Sequence, residues 1–286
     1  MKKFDYYQPR SLQEAYGLME KQKGEARYIA GGTDIIWRVK QGMVEADALI
    51  SLRGIEELGR IHLNGDLFLG SMAPFRTIER DASLAKAYPS LSEAVSLLAN
   101  PQVRNVATVG GNLCNAAPSA DCAPALIVLD AVVTLEGPGG KRDVPIVDFF
   151  KGPGETCMEK TEVLTQIKVP RMAPNSGTIF LKKGRVSQDI SIVNAAALLV
   201  MEGNVCRKCR LAVGAVAPVP LRLKDVEDMV ENQGISTELL DGVAEKVEKA
   251  VSPITDVRST AEYRRVLSGV LVKKAIHQAH QRAVQQ

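Results

Sequence analysis

The pattern of strands and helices changes once along the chain, near residue 177. Before that point, short strand and helix patterns are intermixed. After it, strand patterns come first and helix patterns follow, over 178–182, 191–201 and 205–213 and then about 225–232, 236–251 and 260–284. Strands that precede helices in this way are typical of an α+β domain. The preceding segment 171–176 (RMAPNS) has the composition of a linker, so the sequence predicts a separate C-terminal α+β unit.

Length, charge and hydropathy together argue against several classes of protein. The 286 residues correspond to about two domains. The chain has 36 Lys and Arg residues and 33 Asp and Glu residues, and this net charge of +3 is too small to indicate a nucleic-acid-binding protein. No apolar run reaches the ~18 residues of a membrane span, and the start, MKKFDYYQPR, lacks the apolar stretch of a signal peptide. We therefore expect a cytoplasmic protein whose five cysteines are reduced thiols.

The sequence gives little indication of a metal site or of a catalytic nucleophile. His277 and His280 lie three residues apart on a predicted helix, but a third ligand is missing from their neighbourhood, so we predict no metal site. Cys206 and Cys209 have CxxC spacing in a predicted strand, where alternation would place them on opposite faces. We interpret them as ordinary cysteines. The GxGxxG, P-loop and GxSxG motifs are absent from the sequence.

Two glycine-containing segments remain. The first, 30–34 (AGGTD), stands between a predicted strand and a helix. The second, 108–112 (TVGGN), is predicted as a loop after a helical stretch that ends at Asn100-Pro101. Paired glycines permit positive φ and close backbone approach, and successive N–H groups in such turns bind anions. Together the segments could hold one diphosphate from two sides, which favours a diphosphate-bearing cofactor.

These segments, followed by 115–124 (NAAPSADCAP), resemble the FAD-binding subunit of molybdenum hydroxylases, and most of all its xanthine dehydrogenase type. The resemblance covers nearly the whole chain, since it continues through 101–105, 149–154, 162–170, 182–190, 211–220 and 259–265. It implies an FAD-binding domain of the vanillyl-alcohol-oxidase type over 1–172, with two α+β subdomains of about 1–55 and 56–172. A small C-terminal α+β domain of the CO dehydrogenase flavoprotein type would follow over 177–286.

The resemblance also implies the cofactor site. The family's FAD-binding positions correspond to Tyr28, Ile29, Ala30, Gly31, Gly32, Thr33, Asp34, Ile35, Leu98, Thr108, Val109, Gly110, Gly111, Asn112, Asp121, Leu164 and Lys182. No catalytic residue and no metal ligand are implied in this chain. For Asp121 the residues leave a second interpretation open, because an aspartate at that place can also cap the helix that follows it.

The implied function is that of an electron-transfer subunit. Electrons would come from two [2Fe-2S] clusters on a small partner subunit, which receive them from a molybdopterin centre on a large partner, and FAD would pass hydride to NAD+. The assembly would be a dimer of heterotrimers without nucleic acid. One alternative is the flavin subunit of a carbon monoxide, nicotinate or aldehyde dehydrogenase with oxygen or a quinone as acceptor. Another is a non-redox assembly subunit that has lost its cofactor; the two intact glycine segments speak against it.

Overall fold

The structure is a computed structural model that describes residues 2–285. Its strands are β1 Asp5–Tyr7, β2 Ala26–Ile29, β3 Ala48–Ser51, β4 Ile61–Asn64, β5 Asp66–Gly70, β6 Val132–Gly137, β7 Gly140–Pro145, β8 Phe150–Gly152, β9 Glu155–Thr156, β10 Val163–Val169, β11 Ser176–Lys183, β12 Val193–Glu202, β13 Val205–Gly214 and β14 Leu221–Arg222. Its α-helices are α1 Leu12–Lys21, α2 Ile35–Lys40, α3 Phe75–Arg80, α4 Ala82–Ala87, α5 Pro89–Ser96, α6 Pro101–Val106, α7 Val109–Cys114, α8 Cys122–Val128, α9 Ile146–Phe149, α10 Lys224–Val230, α11 Thr237–Ala250 and α12 Ala261–Val284.

The first unit is a small parallel sheet in the order β1-β3-β2. Parallel neighbours need a crossover connection, and α2 lies in the one between β2 and β3. Helix α1 begins as the sequence predicts, because the Ser11 hydroxyl accepts a hydrogen bond from the Glu14 N–H at 3.2 Å. Its apolar face, which includes Tyr16 and Met19, is buried against the sheet.

The second unit is a five-stranded antiparallel sheet in the order β4-β5-β10-β6-β7. Helices α3 to α8 lie between β5 and β6 in the chain and cover one large core. The sequence predicts a helical pattern over 77–98 that is interrupted at Pro89, and Pro89 does begin a new helix, α5. A further break that was not predicted lies at Asp81, which caps α4, so the stretch holds three short helices. The helical stretch ends at Ser96, before Asn100-Pro101 as predicted, but this pair does not lead into a loop. Instead, the Asn100 side chain accepts from the Val103 N–H at 2.9 Å and starts α6.

The second glycine segment is helical rather than a loop, so that prediction is wrong. The Thr108 hydroxyl accepts from the Gly111 N–H at 3.0 Å and caps α7, which begins at Val109. An N-cap threonine stabilises a helix start by about 1 kcal/mol, which offsets part of the cost of up to about 1 kcal/mol for each of the two glycines in the first turn. Sequence patterning missed the helix because the glycine pair has no helical periodicity of its own.

The C-terminal unit is an antiparallel sheet in the order β11-β12-β13-β14, packed on one face by α10 to α12. Alternate residues of β12 belong to different cores: Ala195 and Ala197 face these helices, while Ala196 and Leu198 face the second unit. A strand buried on both faces is apolar throughout, which explains the long apolar run at this place. The predicted α+β class is confirmed. Among residues 2–285, no helix combines the length and apolar character needed to cross a bilayer.

Cys206 and Cys209 share one face, so the prediction of opposite faces is wrong. Both are fully buried in the core beneath the C-terminal helices. The strand register shifts between them: Cys206 pairs with Met201, and Lys208 pairs with Val200, which leaves Arg207 as a bulge. A bulge adds one residue to the alternation and thereby returns the second cysteine to the face of the first.

Candidate functional site

A cavity of about 960 Å³ lies where the three units meet. The first unit contributes the segment after β2, the second contributes the start of α7 together with Leu98 and Leu164, and the C-terminal unit contributes Lys182. A cavity of this size with convergent polar groups is the default place for a large ligand.

Fifteen of the seventeen predicted site residues line this cavity. They are Tyr28, Ala30, Gly31, Gly32, Thr33, Asp34, Ile35, Leu98, Thr108, Gly110, Gly111, Asn112, Asp121, Leu164 and Lys182. The side chains of Ile29 and Val109 do not line it, because both are buried in hydrophobic cores. Each belongs to a short element whose neighbours on either side face the cavity.

The two glycine segments touch each other and form one wall. A Cβ on Gly31 would overlap the carbonyl oxygen of Val106, so no larger residue fits there. Gly32 has a φ of +79°, a conformation that a β-branched residue adopts only with strain. Gly111 is helical and does not have positive φ; a Cβ there would lie 3.3 Å from the Ala30 Cβ.

The two segments differ in the number of backbone donors that they offer to a ligand. Within the described chain, no acceptor takes the N–H groups of residues 32–35, which form the turn into α2. In the second segment, the N–H of Val109 is bound to Ala73 O at 3.2 Å and that of Gly110 to Ser71 O at 2.9 Å, while Thr108 accepts from Gly111 and Asn112. Among the described residues, the N–H of Thr108 has no acceptor. The prediction of a grip by two sets of backbone N–H groups is therefore wrong for residues 109–112, and the second segment retains one unpaired backbone donor at Thr108.

The second segment offers a side chain instead. Asn112 lines the cavity, and its Oδ1 atom is buried with no hydrogen-bond partner among the described residues. An amide group has two donors and one acceptor, so such a side chain can bind a polar ligand group. The wall thus presents a row of N–H groups from one segment and an unpaired amide from the other.

A charged pair accompanies the first segment. Asp34 precedes α2 and makes no side-chain cap hydrogen bond. Burial raises the pKa of its carboxyl, and the Arg38 guanidinium one turn further on partly opposes this rise. Arg38 also lines the cavity and donates to Asn115 Oδ1 at 3.3 Å. The sequence interpretation missed Arg38, although its helical spacing from Asp34 was a usable signal.

Asp121 connects the second unit to the C-terminal unit. Its Oδ2 atom accepts from Lys182 Nζ at 2.6 Å, and its Oδ1 atom accepts from Ser191 Oγ at 2.6 Å and Asn194 Nδ2 at 2.9 Å. The interpretation of Asp121 as a capping residue is wrong, because its carboxylate makes no cap hydrogen bond to α8. Ser191 and Asn194 were missed, since nothing in the sequence links them to a residue about 70 positions earlier.

A buried arginine supports the Leu98 part of the wall. Arg104 is 7% exposed and binds both carboxylate oxygens of Glu79 at 3.0 Å. It also donates to the carbonyl oxygens of Leu98 at 2.8 Å and Ala99 at 2.9 Å. These bonds hold the turn at Leu98, where Ala99 has a φ of +44°.

Comparison with known proteins identifies the family. The family described as "FAD binding domain in molybdopterin dehydrogenase" matches residues 2–172. The chain is an FAD-binding subunit of the molybdenum hydroxylase family. The family described as "CO dehydrogenase flavoprotein C-terminal domain" matches residues 179–279.

Relatives in this family are similar to the chain over nearly its whole length. The chain is 32% identical over 278 residues to the xanthine dehydrogenase FAD-binding subunit of Escherichia coli O157:H7, with 96% of this chain and 95% of that protein covered. It is 30% identical over 278 residues to the carbon monoxide dehydrogenase medium chain of Hydrogenophaga pseudoflava, with 97% of each covered. A structure of carbon monoxide dehydrogenase from the same organism superimposes with a TM-score of 0.95 at 30% identity and covers 98% of both chains.

The residues present fit FAD. The free N–H groups of residues 32–35 suit a diphosphate, and the unpaired Asn112 amide suits a second polar group of the same ligand. The absence of a side chain at Gly31 allows the first segment to pack directly against the backbone of Val106 and Ala107, just before the second segment. The molybdenum hydroxylase subunit therefore has a cavity whose chemistry agrees with its family.

Proposed function

We propose that this chain binds one FAD non-covalently in the cavity and transfers electrons for a molybdenum hydroxylase. The observation that carries the proposal is the row of unpaired N–H groups at residues 32–35, in the wall of a cavity shared by all three units. The proposed FAD-binding residues are the fifteen that line the cavity, with Arg38 added. The proposed domains span 1–172, with subdomains of about 1–55 and 56–172, and 177–286.

The protein's own part in this function is binding and orientation. FAD, when bound, supplies the redox chemistry, which needs no general acid or base from the protein. The first glycine segment holds the diphosphate, and Arg38 adds a positive charge beside it. Leu98 and Leu164 provide apolar walls that exclude water from the ring system. Asp121 and Lys182 close the side formed by the C-terminal unit.

The partners follow from the family. A small subunit with two [2Fe-2S] clusters delivers the electrons, a large molybdopterin-binding subunit hydroxylates the substrate, and NAD+ accepts hydride. The assembly is a cytoplasmic dimer of heterotrimers of the xanthine dehydrogenase type. Similarity to the Escherichia coli xanthine dehydrogenase subunit, at 32% identity, supports this version.

A second candidate changes only the substrate and the acceptor. The carbon monoxide dehydrogenase medium chain is 30% identical over the same length, so sequence identity hardly distinguishes the two candidates. In this second candidate the chain serves a carbon monoxide, nicotinate or aldehyde dehydrogenase and reduces oxygen or a quinone. The cavity chemistry is the same in both, because the flavin subunit does not meet the hydroxylated substrate.

Two measurements test the proposal. An absorbance spectrum of the purified chain should show flavin, and acid precipitation should release it into the supernatant. A chain that binds no flavin, even after incubation with FAD, overturns the function. Stopped-flow mixing with NADH should then bleach the flavin. If NADH bleaches neither the isolated chain nor the assembled complex, NAD+ is the wrong acceptor and the second candidate replaces the first.

A further inference from the structure

One carboxylate holds both ends of a cavity-lining segment. Residues 184–190 join β11 to β12, and Gln188, Asp189 and Ile190 line the cavity. Lys182 stands just before this segment and Ser191 just after it. Both side chains return to Asp121 of the second unit, at 2.6 Å each.

The contacts around Asp121 are buried, and both of its carboxylate oxygens accept hydrogen bonds. The side chains of Asp121 and Lys182 are 7% and 5% exposed, and Asn194 has no exposed surface. Lys182 donates further to Leu97 O at 3.1 Å, and Asn194 Nδ2 also lies 3.4 Å from Ser191 Oγ. Removal of one buried donor leaves a charged acceptor partly unsatisfied, which costs more than an exposed hydrogen bond.

The segment itself has few other attachments. Arg185 and Asp189 pair with each other at 2.7 Å, while Val186 is 70% exposed and Ile190 48%. This ion pair lies within the segment and does not tie it to the cavity. The position of 184–190 over the cavity is therefore set mainly at its two ends, where the Ile192 N–H donates to Lys183 O at 2.8 Å and where the Lys182 and Ser191 side chains bind Asp121.

We propose that Ser191 and Asn194 are positioning residues for the cofactor. Neither lines the cavity, so they act through Asp121 and fix segment 184–190 as the wall that retains FAD. This inference rests on the proposed function, because it assumes that the ligand of the cavity is FAD. It assigns the C-terminal unit a part in cofactor retention that is separate from its packing on the second unit.

The full chain tests this with two variants and a matched control. Ser191→Ala and Asn194→Ala each remove one donor to Asp121. Arg282→Met removes another ion pair between the same two units, from Arg282 to Glu93 Oε1 at 2.6 Å, which does not line the cavity. We expect both cluster variants to release FAD about 10-fold faster than wild type. Trypsin should also cleave them faster after Arg185. Arg282→Met should match wild type in both measurements.

The outcomes separate this inference from the proposed function. Wild-type chain that binds no FAD overturns both. If wild type binds FAD but the two variants release it at the wild-type rate, or if Arg282→Met accelerates release equally, the positioning role is wrong and the proposed function stands. The rate of tryptic cleavage after Arg185 in FAD-free protein measures how accessible segment 184–190 is, independently of the cofactor. Ser191→Thr keeps the hydroxyl and should restore slow release, which a general loss of packing would not explain.

Discussion

Replacement of Asp121 by asparagine tests the energetics of the connection between the units. The substitution keeps the shape and removes the charge that faces Lys182. The lysine is 5% exposed, so its ammonium would stay buried without a counter-ion. Removal of one partner from a buried pair costs about 3–5 kcal/mol. We therefore expect Asp121→Asn to lower the free energy of unfolding of the FAD-free chain by about 3 kcal/mol.

A double-mutant cycle isolates the pair. Lys182→Met alone should also lower the free energy of unfolding, because it leaves the Asp121 carboxylate with only the Ser191 hydroxyl and the Asn194 amide as donors. The double variant should lose less than the sum of the two single variants, by about 1–3 kcal/mol. Urea denaturation of FAD-free protein, followed by circular dichroism, gives the midpoints. Lys208→Met is the control: its ion pair with Asp130 is 43% and 35% exposed and should contribute less than about 1 kcal/mol.

Two results would refute this reasoning. If Asp121→Asn unfolds at the wild-type urea concentration, the buried pair contributes nothing that asparagine cannot replace. If the two single effects simply add, Asp121 and Lys182 act independently, and the 2.6 Å contact is energetically unimportant.

Three further predictions concern single residues. Gly32→Val should weaken FAD binding at least about 10-fold in an FAD titration, because φ is +79° there and a Cβ would lie 3.2 Å from Ile29 Cδ1, so the turn that presents the free N–H groups would have to shift. Burial raises the pKa of Asp256, but hydrogen bonds from a backbone N–H and the buried Arg264 guanidinium outweigh it and lower the pKa to about 2. Its stabilisation is thus present above its ordinary pKa of 3.8 and lost as pH falls towards 2, so melting curves of Asp256→Asn should approach wild type only at acid pH. Arg104→Met should lower the melting temperature and also weaken FAD binding, because Arg104 holds the carbonyl oxygen of Leu98 in the cavity wall. Melting curves and FAD titrations would show the two effects; if the variant binds FAD as tightly as wild type, Arg104 contributes to stability alone.

The local patterns of the sequence determined the elements and the first half of the site. Apolar periodicity placed the C-terminal strands and helices to within a few residues, because each period follows from the geometry of one element. Ser11 started α1 as predicted, since a cap involves only residues three positions apart. The turn after β2 was also predictable, because its glycines and the helix that follows are adjacent in the chain.

Only the tertiary structure decided which groups face the cofactor cavity and which are already bound. Two N–H groups of the second glycine segment, those of Val109 and Gly110, are taken by Ala73 and Ser71, which lie more than 35 residues earlier. A bulge at Arg207 reversed the face of Cys209, and strand pairing rather than composition creates a bulge. Asp121 meets donors 61 to 73 residues away in another unit. Such partners depend on how the sheets and helices pack, and a single sequence holds no period or spacing that encodes those distances.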